Sequence, residues 1–495
     1  MRPRMRPEAE GRGRRVGRKR VFVLTALSAV SVMAGGCLVG PNYVRPAVEQ
    51  PAQFKSQADS EPAPAIAKEW WRLYGDPELD QLIVSANASN QSLRQAVARA
   101  DEARALARVA GSYLYPTISA NPSFTQLHTS ANRDSPITGQ KVAQGVSVPD
   151  WQIPLDLTYE LDIWGRVRRS FESAKATASA SAIDVAVVRL TIETDLARFY
   201  YALRSLDAQA QILAENVTSY REQVRLLSVQ FRTGLVSEIV LNQAQAQLQA
   251  TLAQQRDVQR ARADQEHALA ILCGRPAPSF AVVANPLHEA SPPAVPPGLP
   301  AQFLARRPDV AEAEQNLVAT NAQIGVATAD FYPRFSLTGS AGFESADAST
   351  LFNWQSRVLS IAPSISIPIF QGGRLKANLE ATKARFQQAL AAYVNQILIA
   401  YGDVEDALTD LHALSDEVVT LREAVTASKN YLRLAQSQYK FGLIDYLIVI
   451  DAERTLLANQ LSLAQAVNLQ MAASVHLIKA LGGGWDSASA PVAVK

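Results

Sequence analysis

The chain has 495 residues, of which 48% are hydrophobic, and its formal net charge is +2. Nine arginine and lysine residues lie among residues 1–20, against only Glu8 and Glu10, so the rest of the chain is net negative. This charge distribution excludes a basic nucleic-acid-binding surface. The five histidines are scattered without metal-ligand spacing, and no catalytic constellation stands out. The sequence therefore predicts neither an enzyme nor a bound metal or cofactor.

The N-terminus, residues 1–36, predicts a secretory signal peptide. An arginine-rich start runs into an uncharged apolar stretch that ends in small residues before Cys37. The sequence "AGGC" resembles a bacterial lipobox, with Ala34 where leucine is usual, and this predicts a covalent lipid on Cys37. The alternative is an ordinary cleavage site beside an incidental cysteine. Leu38 stands where an inner-membrane retention signal usually has aspartate, which favours the outer membrane.

Beyond the signal peptide, the chain has no run of 18 apolar residues, so no transmembrane helix is predicted there. Cys273 is the only other cysteine, which excludes an intramolecular disulfide in the mature chain.

Two copies of one structural unit follow each other along the chain. The stretch "QFRTGLVSEIVLNQAQAQL" (230–248) matches "QYKFGLIDYLIVIDAERTL" (438–456) at an offset of 208 residues. The predicted organisation is a first copy at 73–280, a proline-rich linker at 281–300, a second copy at 301–484 and a tail at 485–495.

Each copy predicts a helix, two strands separated by a loop, a very long helix, a tight turn and another long helix. In the first copy, apolar residues over 166–231 recur at gaps of three and four, the heptad pattern of a coiled coil about 100 Å long. Gly234 and Gly442 are predicted to end the first helix of each hairpin, and Ser237 and Asp445 to begin the second. An ordinary helical bundle is the alternative.

Four segments of about ten residues alternate between apolar and polar side chains, as transmembrane β-strands do. In the second segment Asp156, Thr158, Glu160 and Asp162 alternate with apolar residues, which predicts that these four line a water-filled lumen. A soluble sandwich would show the same alternation. Because four strands cannot close a barrel in lipid, membrane-spanning strands would require two or three chains to pool them. The segments are 116–127, 153–163, 333–343 and 360–370.

Five motifs are distributed over nearly the whole length of the mature chain: "CLVGPNYVRP" (37–46), "WWRLYGDPELDQLI" (70–83), "YELDIWGRVRR" (159–169), "FGLIDYLIVIDAERTL" (441–456) and "KALGGGW" (479–485). With them the chain resembles the outer-membrane factors of tripartite efflux systems, the TolC superfamily, and among these the OprM/NodT-type lipoproteins. The resemblance implies an α+β membrane protein that is a homotrimer. Its twelve-stranded β-barrel in the outer membrane would continue as a twelve-helix α-barrel across the periplasm. The N-terminal segment 37–72 and the linker 281–300 would contribute to an equatorial domain.

The resemblance also implies a function and partners. The chain would be the exit duct of an RND-type tripartite efflux system that exports small toxic compounds or drugs. It would contact outer-membrane lipid, a periplasmic adaptor and an inner-membrane pump, and no nucleic acid. Two alternatives are a type I secretion duct for polypeptides and a periplasmic coiled-coil adaptor lipoprotein. The adaptor alternative leaves the four alternating segments unexplained.

The resemblance finally implies a periplasmic gate at the tip of the second hairpin. The motif "YLIVIDAER" places Leu447 and Asp451 at a constriction, with Arg454 one turn further along the helix. Gln243 is the first-copy equivalent of Asp451, so a trimer would carry a ring of three aspartates. The alternative is that Asp451 is a surface carboxylate paired with Arg454.

Overall fold

The computed structural model describes residues 38–49, 51, 53–55, 66–128, 130, 147–287, 291–295 and 303–486. The predicted signal peptide and Cys37 lie outside the described residues. The chain forms two compact units, and each of them draws on both sequence copies. Unit 1 comprises 1–45, 104–177 and 317–388, and unit 2 comprises 46–103, 178–316 and 389–495.

Seven α-helices occupy most of the described chain. Asp76 caps the first of them, because its carboxylate accepts hydrogen bonds from the backbone N–H groups of Glu78 and Leu79 at 3.0 and 3.2 Å. The helices are α1 (Pro77–Ser89), α2 (Gln91–Ser112), α3 (Arg166–Arg232), α4 (Glu238–Leu272), α5 (Pro308–Ala329), α6 (Arg374–Lys440) and α7 (Tyr446–Ala480).

The two helical hairpins reproduce the predicted repeat. Helices α3 and α6 both have 67 residues, and α4 and α7 both have 35. Every bound of the second hairpin lies 208 residues after its counterpart in the first, which confirms the offset read from the sequence. At about 1.5 Å per residue, each long helix extends for roughly 100 Å.

The heptad positions of α3 are buried along much of the helix. Leu213, Val217 and Tyr220 pack in an apolar cluster with Leu248 of α4 and Leu457 of α7. Further along α3, Leu227 is buried as well, whereas the last heptad residue of the helix, Phe231, is exposed. The heptad residues therefore pack the two hairpins together inside unit 2, and their burial ends near the hairpin tip.

Helix α7 is long and apolar enough to pass the composition test for a membrane span, but half of its apolar window is buried. Val475 and Ile478 of this helix pack in the core of unit 2 against Trp70, Tyr200 and other side chains. These contacts are those of a core helix.

Buried arginines hold an irregular segment of unit 2 against the first hairpin. Arg204 of α3 donates hydrogen bonds to Glu78 (2.5 Å), Asp207 (3.0 Å) and the carbonyl oxygen of Val283 (2.6 Å). Asp207 also accepts a hydrogen bond from Arg262 of α4 at 2.6 Å. The first residues of the predicted linker are thereby fixed to α3 and α4.

The N-terminal motif lies extended within unit 1. The amide of Val39 donates to the carbonyl oxygen of Trp164 at 3.1 Å, and Arg169 of α3 donates to the side chain of Asn42 at 2.6 Å. Gly40 has a φ of +86°, and a Cβ there would lie 2.5 Å from the Cα of Gly325 in α5. Only glycine permits this close approach of the segment to the helix.

A five-stranded antiparallel sheet forms the rest of unit 1. The strands are β1 (Thr117–Ala120), β2 (Ser123–His128), β3 (Ser147–Leu161), β4 (Arg334–Ser345) and β5 (Arg357–Ser366). Both β1 and β2 pair with β3, then β3 pairs with β4 and β4 with β5. The first predicted strand is therefore split into β1 and β2, which lie in line along the same edge of β3. The break falls at Asn121 and Pro122, because proline has no N–H to donate to the ladder.

The ends of two predicted strands were wrong. Strand β5 ends at Ser366, so Ile367 and Ile369 lie beyond the sheet, beside Pro368, which has no backbone N–H to donate. Strand β3 ends at Leu161, and the N–H of Ile163 turns back to the carbonyl oxygen of Leu161 at 2.9 Å. Asp162 is consequently not a strand residue.

Candidate functional site: the polar sheet face and the hairpin tips

One face of the sheet is polar where β1, β3, β4 and β5 pair. Directly paired residues share a face, and Ser119, Asp156, Ser340 and Ser360 form one row across the sheet. In the neighbouring rows Thr158 pairs with Thr117 and Thr338, and Glu160 with Ser336, which in turn pairs with Ser364. The register of four independent segments therefore brings the predicted lumenal residues Asp156, Thr158 and Glu160 onto one surface.

The opposite face is apolar and exposed. It carries Ile118, Leu157 and Ile361 in one row and Leu155 with Leu359 in the next. Leu155 is 54% exposed and Ile361 71% exposed. A contiguous apolar sheet face of this kind requires an apolar environment to cover it.

The acidic residues near the end of β3 differ in their partners. Asp156 accepts a hydrogen bond from the side chain of Asn121 at 3.0 Å and has no ion pair among the described residues. Glu160 binds Arg166, at the start of α3, through two hydrogen bonds of 2.8 and 2.6 Å. This fork of two parallel bonds neutralises Glu160 on the polar face.

Asp162 lies one residue beyond the end of strand β3, and its predicted lumenal position stays a prediction. Its carboxylate accepts hydrogen bonds from the backbone N–H and the Nε of Arg168, at 2.8 and 3.2 Å. It lies in the turn between β3 and α3, where a carboxylate is favoured by the free N–H groups of a helix start. Asp162 therefore continues the alternating pattern in the sequence but belongs to the turn and not to strand β3.

The sheet is open on both sides within the described part of the chain. Strands β1 and β2 pair only with β3, and β5 pairs only with β4. Each outer strand thus presents a row of unpaired backbone N–H and C=O groups, which another strand could bind.

Glycine ends the long helix of each hairpin, as the sequence predicts. Gly234 has a φ of +74° and Gly442 a φ of +72°. The N–H of the following leucine reaches back to a helix carbonyl oxygen in each copy, Leu235 to Gln230 at 2.8 Å and Leu443 to Gln438 at 3.0 Å. This is the Schellman arrangement, and it turns both hairpins in the same way.

The predicted gate residues form an exposed stripe at the start of α7. Leu447, Asp451 and Arg454 are all exposed and follow one another at gaps of four and three residues, so they share one side of the helix. Leu447 is 50% exposed, whereas its neighbours Tyr446 and Val449 are buried. No ion pair joins Asp451 to Arg454 among the described residues, whereas the Tyr431 hydroxyl donates to Asp451 at 3.3 Å.

The contacts on the buried side of α7 behind this stripe were not predicted from the sequence. Glu453, on the opposite side of α7, is only 5% exposed, and the side-chain amide of Gln223 in α3 donates to it. Because charged and amide side chains on long helices normally face water, only the packing of α3 on α7 reveals that these two residues are buried together. The offset of 208 residues aligns Gln223 of the first copy with Tyr431 of the second. The repeat could therefore have identified Tyr431 as an equivalent position.

Among the described residues, no group of three or more histidine, cysteine, aspartate or glutamate side chains is placed to hold a metal ion. Cys273 is buried at the end of α4, where burial raises the pKa of its thiol.

The chain is similar over nearly its whole length to known outer-membrane proteins. The family model for "Outer membrane efflux protein" matches residues 82–275 and 299–483, one stretch in each sequence copy. The solvent efflux pump outer membrane protein SrpC of Pseudomonas putida is 33% identical over 465 residues, which cover 92% of this chain and 97% of SrpC. The probable outer membrane lipoprotein SilC of Salmonella typhimurium is 30% identical, with 93% and 98% covered.

The fold is also similar to that of solved channels. The open state of the MtrE outer membrane channel of Neisseria gonorrhoeae superposes with a TM-score of 0.80 at 30% identity, covering 91% of this chain and 99% of MtrE. These similarities contradict the alternative of a periplasmic adaptor lipoprotein, and they explain the amphipathic sheet that this alternative left unexplained. The chain belongs to the outer membrane efflux protein family, and it is an efflux channel protein of the outer membrane.

Proposed function

We propose that three copies of the chain pool their sheets into one closed barrel of twelve strand positions. The observation that carries this proposal is the open sheet with one polar and one apolar face. In lipid every backbone N–H and C=O group must be satisfied, so the free edge of β5 in one copy pairs with β1 and β2 of the next. Two copies would give eight strands, and a barrel of that size is filled by its own side chains. A duct requires at least three copies.

The polar face then lines the channel and the apolar face contacts lipid. Asp156, Thr158 and Glu160 face water in this arrangement, and Glu160 is held by Arg166 where the strand meets α3. Leu155, Leu157 and Ile361 face the acyl chains, which supplies the apolar cover that their exposure requires. A lipid on Cys37 adds a second anchor to the membrane.

The four hairpin helices of each copy form a twelve-helix tube that crosses the periplasm. The equal lengths of α3 and α6, and of α4 and α7, support this assignment, because quasi-equivalent hairpins can alternate around a closed ring. Residues 37–72 and 281–300 contribute to an equatorial belt around it.

The tube ends at the exposed stripe of α7. Leu447 and Asp451 of the three copies converge there into an apolar constriction beside a ring of carboxylates, with Arg454 one turn away. Such a ring attracts cations, and an apolar constriction resists wetting. The resting duct is thereby closed against free diffusion of solutes into the periplasm.

The complete assembly is a tripartite efflux system. The chain is its exit duct, an inner-membrane pump of the RND type supplies the energy, and a periplasmic adaptor joins the two. SrpC is named for a solvent efflux pump, and the cargo assigned here is of the same broad kind, namely small toxic compounds or drugs. A type I secretion duct is not favoured, because SrpC is named for a solvent efflux pump and not for polypeptide export.

Assembly is tested by electrophoresis of the outer membrane fraction. We expect an unheated sample to migrate as a species roughly three times the 53.6 kDa of the chain, and a boiled sample as the monomer. Export is tested by dye accumulation in cells that lack this chain, with and without the chain restored on a plasmid. A monomeric unheated band would contradict the barrel, and equal dye accumulation would contradict the efflux role.

A further inference from the structure

One carboxylic acid lies inside the apolar seam that joins the two hairpins. We use "seam" for the buried residues shared between α3 and α4 of the first hairpin and α6 and α7 of the second. Glu453 is in this seam and is 5% exposed. The apolar members of the seam are Leu213, Val217, Tyr220, Leu227, Ala244, Leu248, Ala435, Tyr446, Val449, Ile450, Ala452 and Leu457.

The hydrogen bonds of Glu453 connect α7 to α3. The side-chain amide of Gln223 in α3 donates to Oε1 of Glu453. The carbonyl oxygen of the same Gln223 side chain accepts a hydrogen bond of 2.7 Å from the Tyr446 hydroxyl. Helix α7 therefore contacts Gln223 through two residues, Tyr446 and Glu453, which lie seven residues apart on one face of the helix. The other carboxyl oxygen, Oε2, is buried and lacks a hydrogen-bond partner within the described part of the chain.

Among the residues that the structure describes, no cation forms an ion pair with this carboxylate. The groups that influence it are the side-chain amides of Gln223 and Gln436, while the phenols of Tyr220 and Tyr446 lie close enough to feel its charge. Arg454 is the next residue along α7. Its side chain is exposed, its charge reaches the phenol of Tyr220, and it forms no ion pair with Glu453 among the described residues. A buried carboxyl without a cationic partner is more stable in its neutral form.

Burial accordingly raises the pKa of Glu453 from its usual 4.5 to about 7, although the two amides oppose this change. The neighbouring phenols do not titrate in the same range, since burial raises the pKa of Tyr220 to about 12. Burial raises the pKa of Tyr446 as well. Near neutral pH, Glu453 is thus the group of the seam whose charge changes.

We propose that Glu453 is a proton-operated latch on the periplasmic gate: protonated, it keeps α7 docked on Gln223 of α3, and ionised, it weakens the seam and lets the second hairpin move. The inference rests on the proposed function, in which Leu447, Asp451 and Arg454 form the gate. These three residues occupy the exposed side of the same helical turns as Glu453. A movement of α7 away from α3 displaces those three residues together.

The direction of the pH dependence follows from the two pKa values. The docked seam binds the proton more tightly than a solvated carboxyl does, so the docked state is most stable below about pH 4.5 and loses this stability as the pH rises to about 7. Acid therefore closes the latch, and a neutral to mildly alkaline periplasm releases it.

The first test measures hydrogen exchange of the purified full-length protein in detergent by mass spectrometry. We expect peptides covering 446–457 to exchange on the order of tenfold faster at about pH 8 than at about pH 5.5, after correction for the intrinsic rate. Glu453→Gln keeps an acceptor for Gln223 but cannot ionise, so its corrected exchange should be slow at both pH values. Gln245→Glu is the matched control, because Gln245 is the exposed first-copy equivalent of Glu453. It should behave as the wild type.

The second test measures channel opening in planar bilayers at the same two pH values. Wild type should open on the order of tenfold more often at the higher pH, and Glu453→Gln should show no such change. Asp451→Asn should retain the response, which separates the latch from the carboxylate ring. A wild type whose exchange is independent of pH, or a Glu453→Gln variant that keeps the dependence, overturns the latch. A protein that never conducts while its exchange follows pH contradicts the proposed function and leaves the seam titration established.

Discussion

Tyr431 of α6 donates a hydrogen bond from its hydroxyl to the carboxylate of Asp451 in α7, with 3.3 Å between the two oxygen atoms. The bond joins the two helices of the second hairpin beside the exposed stripe. Among the described residues the first hairpin shows no counterpart of this bond. The offset of 208 residues places Gln223 and Gln243 at the equivalent positions, and Gln223 instead bonds to Glu453 and Tyr446 of α7. Two hairpins with the same backbone thus differ at the tip, and only the second carries the charged stripe.

Replacing Leu447 and Asp451 together with alanine should widen the proposed constriction and reduce its preference for cations. The double substitution removes an exposed apolar side chain and one carboxylate from each copy, while the buried side of α7 is untouched. Single-channel conductance and reversal potentials in planar bilayers give the measurement. Gln243→Ala, at the first-copy equivalent of Asp451, serves as the control and should leave ion selectivity unchanged. If conductance and selectivity of the double variant equal those of the wild type, these residues do not form the gate.

Leu157→Lys should impair assembly, whereas Thr158→Lys should be tolerated. The two residues are neighbours in β3 on opposite faces of the sheet, and a lysine facing lipid near mid-bilayer costs about 2–4 kcal/mol. The yield of heat-resistant oligomer in outer membranes measures the difference. Glu160→Lys is not an equivalent control, because it would place a lysine beside Arg166. Equal yields for the two lysine variants would argue against the lipid-facing assignment.

Arg204→Ala should strongly destabilise the helical part of the protein. Its side chain is 2% exposed and pairs with Asp207, whose side chain is 1% exposed. Removing one partner of a buried ion pair typically costs about 3–5 kcal/mol, since the other charge stays buried. Thermal unfolding followed by circular dichroism tests this expectation. Arg225→Ala removes an exposed pair with Glu222 in the same helix and should leave the thermal unfolding transition almost unchanged, because solvent screens an exposed ion pair.

Cys37→Ser should abolish attachment of lipid to the mature chain. The prediction rests on the apolar stretch and small residues that precede this cysteine. Mass spectrometry of the N-terminal peptide should find acyl groups on Cys37 in the wild type and none in the variant. A mature N-terminus elsewhere in the wild type, without acyl groups, would show that an ordinary signal peptidase processes the chain.

The sequence by itself determined the repeat and the nature of each segment. The offset of 208 residues, the heptad stripe of α3 and the glycines at the hairpin turns all recur in the structure at the predicted residues. These features are local: a helix period, a strand period and a left-handed turn are set by neighbouring residues along the chain. The alternation in the four segments likewise predicted correctly that Asp156 and Thr158 share a polar face.

Tertiary structure decided what depends on contacts between distant segments. The ends of β3 and β5 are set by where partner strands and prolines stop the ladder, and the pairing of Asp162 with Arg168 is set by the turn into α3. Alternation alone could not separate Asp162 from the strand residues before it. Glu453 illustrates the same limit, because a charged residue on a long helix normally faces water. It is buried here only because α3 packs against α7 at Gln223, more than two hundred residues away in sequence.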